Sequence, residues 1–196
     1  MDAPSGNPYN NSLTVNTKVL PDGSEKVRVC LSPVILNKQL IDVDTFPLPK
    51  ISDVINQAAG HKYFFTIDLS QAYHRVAVEP ESQPLTAFTH QGKQYMFARA
   101  PFGLKPLTSV FQRGISTLLG PLLFCRPYVD DIIGWGDSFD ETLENAKALV
   151  QVLTRNNFII NRDKCHFLYT HIEVLGFIIS EHGRRVNTKR FSTSRS

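Results

Sequence analysis

Phe124–Trp135 reads FCRPYVDDIIGW, two apolar arms on either side of the adjacent carboxylates Asp130 and Asp131. Such a pattern predicts a β-hairpin with acidic residues at its tip, although Pro127 removes a ladder donor from the first arm. Upstream, Tyr63–Leu69 (YFFTIDL) is a second short apolar strand, and it carries one carboxylate, Asp68, near its end. Downstream, Ser138 and Glu141 form a capping-box pair, and Leu143, Ala146, Val150 and Leu153 recur on one helical face until Asn156-Asn157.

Further out the same reading continues. Ile51, Val54, Ile55 and Ala58 follow helical spacing after Pro47 and Pro49, with Gly60 as a stop, and a second helix is predicted over Lys105–Leu119. Lys26–Leu31 alternates charged and apolar residues as a half-exposed strand, entered by a turn at Pro21-Asp22-Gly23. Ile159-Ile160, Cys165–Tyr169 and Ile172–Ser180 read as closing strands, and Glu181-His182-Gly183 as a turn. Short strands and single helices in irregular order argue an α+β fold, an antiparallel sheet packed on helices, and not a doubly wound parallel one.

With 196 residues, 42% apolar and 20% charged, the chain suits one globular domain with a core. Its expected span is 18–183. Residues 1–17, rich in Asn, Ser, Pro and Gly, and the basic, Ser-rich 184–196 (RRVNTKRFSTSRS) are expected to be flexible tails. The formal charge of +3 is too small to identify a nucleic-acid binder, because phosphate binding depends on where the cations sit. Cys30, Cys125 and Cys165 form no C-x-x-C pair, so neither a disulfide framework nor a zinc site is indicated. No apolar run approaches a membrane span, and the start has no signal-peptide core. The expectation is a protein of the cytoplasm or nucleus, neither secreted nor in a membrane.

In-line phosphoryl transfer uses divalent cations to activate the attacking hydroxyl and neutralise the leaving group, and magnesium takes a few carboxylates while keeping several waters. Carboxylates from separate elements should therefore meet at one point. Asp68 and Asp130 are the candidates for both metals, with Asp131 secondary, since adjacent strand residues face opposite sides. Two carboxylates about 4 Å apart repel by roughly 4 kcal/mol at an effective dielectric of about 20, which calls for cations. Taken singly, Asp130-Asp131 also fits a plain turn and Asp68 a plain helix cap.

The order of several motifs decides between these readings. FFTIDLSQAYHRV (Phe64–Val76), APFGLKPLTSVFQR (Ala100–Arg113), YVDD (Tyr128–Asp131), NRDKCHF (Asn161–Phe167) and VLGFIIS (Val174–Ser180) resemble, in order, the four palm motifs and the primer grip of reverse transcriptases from gypsy-type LTR retrotransposons. PLPKISDVINQAAGHKYF (Pro47–Phe64) matches the linking segment in register. The resemblance spans about Val27 to Ser180 and implies a polymerase palm with partial fingers and no thumb. It implies RNA-directed DNA synthesis from deoxynucleoside triphosphates on a primed RNA or DNA template, with two Mg²⁺ ions, or Mn²⁺ in their place.

Residue by residue, the resemblance assigns Asp68, Asp130, Asp131 and the Leu69 carbonyl to the metals, and Lys164 to proton donation toward the pyrophosphate. Tyr73 matches the ring that blocks a 2′-hydroxyl. Gln71 and Ala72 amides and the Arg28 guanidinium match the triphosphate clamp, and Phe102 and Gly103 the surface beneath nucleotide and template. Gln112, Tyr128, Leu175 and Gly176 match nucleic-acid contacts. Ser32 and Val34 depart from the Asp and Arg usual before Leu36-Asn37, and Pro106 and Thr108 from the usual Asn and Pro. These departures keep a rival open, a decayed or domesticated remnant that binds nucleic acid or protein. An RNA-dependent RNA polymerase ranks below both, since it has no use for a bulky ring at Tyr73.

Overall fold

In the computed structural model, which describes residues 1–19, 22–40, 46–70 and 72–187, Phe124–Trp135 forms the hairpin its two arms dictate. In chain order the elements are β1 (Ser12–Val19), β2 (Glu25–Ser32), α1 (Val34–Gln39), α2 (Ile51–Ala58), β3 (Tyr63–Ser70), β4 (Phe88–His90), β5 (Lys93–Tyr95), α3 (Leu107–Leu119), β6 (Cys125–Tyr128) and β7 (Asp131–Gly136). After these come α4 (Phe139–Arg155), β8 (Ile159–Ile160), β9 (His166–Tyr169), β10 (His171–Val174), β11 (Phe177–Ser180) and β12 (Gly183–Val186). The strands pair antiparallel throughout, as the irregular element order predicts.

Where one domain over 18–183 is expected, the chain divides into two compact units, Met1–Thr45 with Tyr73–Phe111, and Phe46–Ala72 with Gln112–Ser196. No linker composition marks the division, because each unit is assembled from two separate stretches of chain and the boundary falls inside α3.

The second unit holds a sheet in the order β6-β7-β3-β8, with β9 also paired to β3, and a smaller sheet β10-β11-β12. β3 is central. Its Phe64, Phe65 and Ile67 are fully buried, each burial contributing about 1.5–3 kcal/mol. Val54, Ile55 and Ala58 of α2 pack with Phe64, Ile133 and Trp135 of the large sheet and Ile172, Val174 and Ile179 of the small one. Pro127 is tolerated because β6 is an edge strand.

α4 starts where the cap predicts: the Ser138 hydroxyl accepts the Glu141 N–H at 3.2 Å, and the Glu141 carboxylate accepts the Asp137 N–H at 2.9 Å. Its buried stripe is Thr142, Ala146, Leu149 and Leu153. Leu143 and Val150, expected on that stripe, lie at its margin, a rotation of about one residue. Ile172–Ser180 is not one strand. It folds back at Leu175 (φ +50) and Gly176 (φ +83), a two-residue turn joining β10 to β11, because two successive left-handed residues match the twist of a hairpin.

The first unit corrects the expected N-terminal tail. β1 pairs with β2 over its whole length, from Ser12 with Ser32 to Val19 with Glu25. Before it, Met1 and Met96 exchange main-chain hydrogen bonds, and Ala3 donates to Gln94. Asn7 donates to the Pro84 carbonyl and Asn11 to those of Leu85 and Ala87. A polar segment is thus held by amide side chains and main chain without burying apolar surface. The β4–β5 hairpin, turned at Gln91-Gly92, escaped the sequence reading. At the other end β12 continues to Val186, past the expected start of the tail, and residues 188–196 lie outside the described residues. Among the described residues no helix is long and apolar enough to cross a membrane, and the three cysteines are free thiols.

Candidate active site

The turn between β6 and β7 takes up Val129 and Asp130, so Asp131 is the first ladder residue of β7. The ladder therefore pairs Asp68 with Asp131 and leaves Asp130, which the sequence assigns with Asp68 to both metals, in the turn. The Asp68 carbonyl accepts from Asn161 on the far side of β3 at 2.9 Å, whereas the Leu69 N–H donates to the Asp130 carbonyl at 3.0 Å. Asp68 and Asp131 are thus a non-hydrogen-bonded pair, the kind whose side chains stand closest on one face. Asp130 sits at the tip with one carboxylate oxygen, Oδ1, buried.

Asp131 keeps an exposed face but is crowded by protein atoms. Burial, and then the Asp68 carboxylate, push its carboxyl above the usual value, and Lys164 pulls it partly back. Lys164 Nζ stands 3.1 Å from Asp68 Oδ2, with the lysine 57% and the aspartate 18% exposed. It reaches there from the short 3-10 turn after β8.

The donor set fits a hard divalent cation: carboxylate oxygens at the end of two adjoining strands, short of positive charge, with an ammonium as partial counter-charge. Among the described residues no three His, Cys, Asp or Glu side chains already form a metal cluster. What the fold brings together is the Asp68–Asp131 pair with Lys164. Asp130 adjoins it through the main chain.

Gln112, expected beside the template, is fully buried, with its amide hydrogen-bonded to the main chain of Pro127 and Val129. A side chain enclosed in this way cannot contact a template. Sequence reasoning missed the role because a polar residue in an amphipathic helix reads as surface. Tyr128 is half-buried beside the core, and Leu175-Gly176 form the β10–β11 turn.

In the first unit, Tyr73 is gripped by two rings, Phe102 at 5.6 Å (81°) and Phe111 at 5.4 Å (63°), edge to face. Ala72–Arg75 is a single 3-10 turn, too short for a helix dipole to act at the Ala72 amide. The Phe102 carbonyl accepts the Leu31 N–H at 3.0 Å, and Asn37 spans the next residues, donating to the Gly103 carbonyl at 2.8 Å and accepting the Lys105 N–H at 2.9 Å. Gln71 lies outside the described residues. Arg28 lies in β2, but its side chain is outside them too.

A family model described as reverse transcriptase (RNA-dependent DNA polymerase) matches residues 20–179. The chain is 34% identical over 190 residues to the retrovirus-related Pol polyprotein from transposon opus of Drosophila melanogaster, covering 95% of this chain and 19% of that protein. It is 29% identical over 191 residues to the corresponding polyprotein from transposon gypsy of the same organism, covering 95% and 18%. The chain thus spans about a fifth of the length of these curated relatives. Among solved structures, the foamy viral protease-reverse transcriptase dRH in complex with double-stranded DNA matches with a TM-score of 0.84 and 27% identity, over 95% of this chain and 33% of that one.

Proposed function

Because the chain belongs to the reverse transcriptase family, we propose that it carries the nucleotide-adding centre of an RNA-directed DNA polymerase. The observation that carries this reading is the Asp68–Asp131 pair at the root of the acidic turn, with the Lys164 ammonium on Asp68. Two carboxylates forced together and only partly neutralised are in need of a cation. Asp68, Asp130, Asp131 and the Leu69 carbonyl would hold divalent metal ions, magnesium in our reading. When bound, the metals activate the primer hydroxyl and stabilise the charge of the departing pyrophosphate.

The chain's own residues supply the rest of the proposed chemistry. Lys164, already at the carboxylates, holds a proton that the leaving pyrophosphate can take. Leu175-Gly176, a turn with no side chain at its second residue, lets a primer backbone approach. Arg28 and the amides of Gln71 and Ala72 would bind the triphosphate, and Phe102, Gly103 and Tyr128 would bear on nucleotide and nucleic acid. With a net charge of +3, binding of primer and template is expected to be weak and to fall steeply with salt.

Tyr73 matches the family position that reads the sugar, and its two edge-on phenyl contacts support a rigid wall. Tyr73→Ala is expected to raise ribonucleotide relative to deoxynucleotide incorporation by roughly tenfold or more. Unchanged sugar selectivity in single-nucleotide assays removes the assignment.

The function is tested by extending a DNA primer on an RNA template with the purified chain and Mg²⁺ or Mn²⁺, beside Asp130→Asn/Asp131→Asn. Metal-dependent extension lost in the double variant is the expected result. A folded chain that binds primer-template without extending it would favour the remnant reading, to which the departures at Ser32 and Val34 belong.

A further inference from the structure

The side chain of Gln112 is 0% exposed, and burying an amide costs free energy unless its polar atoms find partners. Each of them does. Oε1 accepts the main-chain N–H of Val129 at 2.7 Å, and Nε2 donates to the Pro127 carbonyl at 3.1 Å and to the Ser116 hydroxyl at 3.0 Å. The two main-chain groups flank Tyr128 on the open edge of β6. A carbonyl at one residue and an N–H two residues on is the pair that one residue of an adjacent parallel strand would satisfy. The Gln112 carboxamide therefore completes the outer edge of β6 as a single residue of an extra strand, ending where the turn begins.

The turn needs such a hold. Val129 has φ +54, a left-handed conformation that is an outlier for a β-branched residue and persists only where the surroundings over-determine it. Pro127 has no N–H to contribute. On the inner edge Tyr128 pairs with Asp131, and beyond the turn the Asp130 carbonyl accepts the Leu69 N–H at 3.0 Å. Gln112 supplies the grip on the outer edge, at the two peptides on either side of Tyr128, one residue before Asp130.

Resting on the polymerase reading above, we propose that Gln112 is the positioning residue of the acidic turn. Its buried carboxamide holds Val129 in the left-handed conformation and so sets Asp130 and Asp131 for metal binding and nucleotide addition, without touching template, primer or nucleotide. The role runs through main-chain geometry alone, so both hydrogen-bonding ends of the amide are required.

The test uses the full chain with Gln112→Met, which keeps side-chain length and loses both ends, and Gln112→Glu, which keeps the acceptor and loses the donor to Pro127. In single-nucleotide incorporation, kcat of the Met variant should fall about 100-fold, since a misplacement of about 1 Å costs that much. KM for the deoxynucleotide should stay within about threefold, because no contact to substrate is removed. The Mg²⁺ concentration for half-maximal rate should rise, and the Glu variant should lie between. Mere loss of folded protein would lower the unfolding midpoint and the active fraction without moving the metal requirement, and that result overturns the proposal, as does a folded Met variant with wild-type kcat. Hydrogen exchange at the Val129 amide reads the grip without any activity. It should be protected in the wild type and exchange faster in the Met variant, or in the Glu variant if Met does not fold. If the wild type adds no nucleotide, the polymerase reading falls, and a Val129 amide unprotected in the wild type then overturns the brace as well, whereas protection lost in the variant upholds it.

Discussion

Asp131→Asn is expected to abolish nucleotide addition, by on the order of 1,000-fold or more, while making the metal-free protein more resistant to unfolding. On the proposed reading the activity loss follows because the substitution takes a charged ligand oxygen from the metal ions that the Asp68–Asp131 ladder pair would hold. The stability gain follows from the same pairing. Burial and the Asp68 carboxylate raise the Asp131 carboxyl above its ordinary value, so the folded chain binds that proton more tightly than the unfolded chain does. Stability contributed by this group is therefore greatest below the unfolded value of 3.8 and falls as pH rises through the raised folded value. Asparagine has the same shape and no charge to desolvate, so the advantage of the variant should open over that interval and persist at neutral pH. Urea midpoints of the two proteins in chelator from pH 3 to 8, beside primer extension in Mg²⁺, check both halves. A variant that loses activity and stability together would mean that the Asp131 carboxylate is structural, and its place in the metal site would have to be given up.

The hairpin was legible because its chemistry is local: apolar arms, an acidic tip, and Asp68 at the end of a neighbouring strand are all visible as pattern. The same holds for Ser138 and Glu141 at the start of α4, where each partner lies within a turn of the other. Register was not legible. Whether Asp130 or Asp131 faces Asp68 depends on how many residues the turn consumes, and that number is set by Val129 adopting a conformation its side chain disfavours. Gln112 was misread for a related reason, since its partners are main-chain groups 15 and 17 residues away that carry no sequence signature. At the N-terminus, polarity suggested fraying, yet Asn7 and Asn11 use that polarity to hold the chain to carbonyls more than 70 residues away. Composition reports what can be buried. It says little about where a polar side chain finds its partner.

Gly103→Ala separates two explanations of why that position is small. The resemblance places Gly103 against nucleotide and template, which predicts weaker nucleotide binding and unchanged stability. The geometry of the first unit gives another reason. A Cβ on Gly103 would collide with the carbonyl oxygen of Leu31 and crowd Pro33 Cδ at 3.3 Å, and its φ of +107 lies where side chains are rarely accepted. Leu31 cannot easily yield. It is buried, it pairs with Leu13 in the β1–β2 ladder, and its N–H is held by Phe102 at 3.0 Å. The loop must move instead, at the cost of the Asn37 hydrogen bonds to Gly103 and Lys105. Overpacking against main chain, together with the unfavourable φ, sums to about 2–5 kcal/mol of destabilisation. Gly114 in α3 is the internal contrast, with no positive φ and nothing within 4 Å of an added Cβ. Gly114→Ala should therefore stabilise by roughly 0.5–1 kcal/mol through helix propensity. Urea unfolding of the three proteins decides the matter: a Gly103→Ala variant as stable as the wild type but with a raised KM for the deoxynucleotide would return the residue to the nucleotide surface, whereas a collapse in midpoint assigns its small size to the Leu31 carbonyl and the fold.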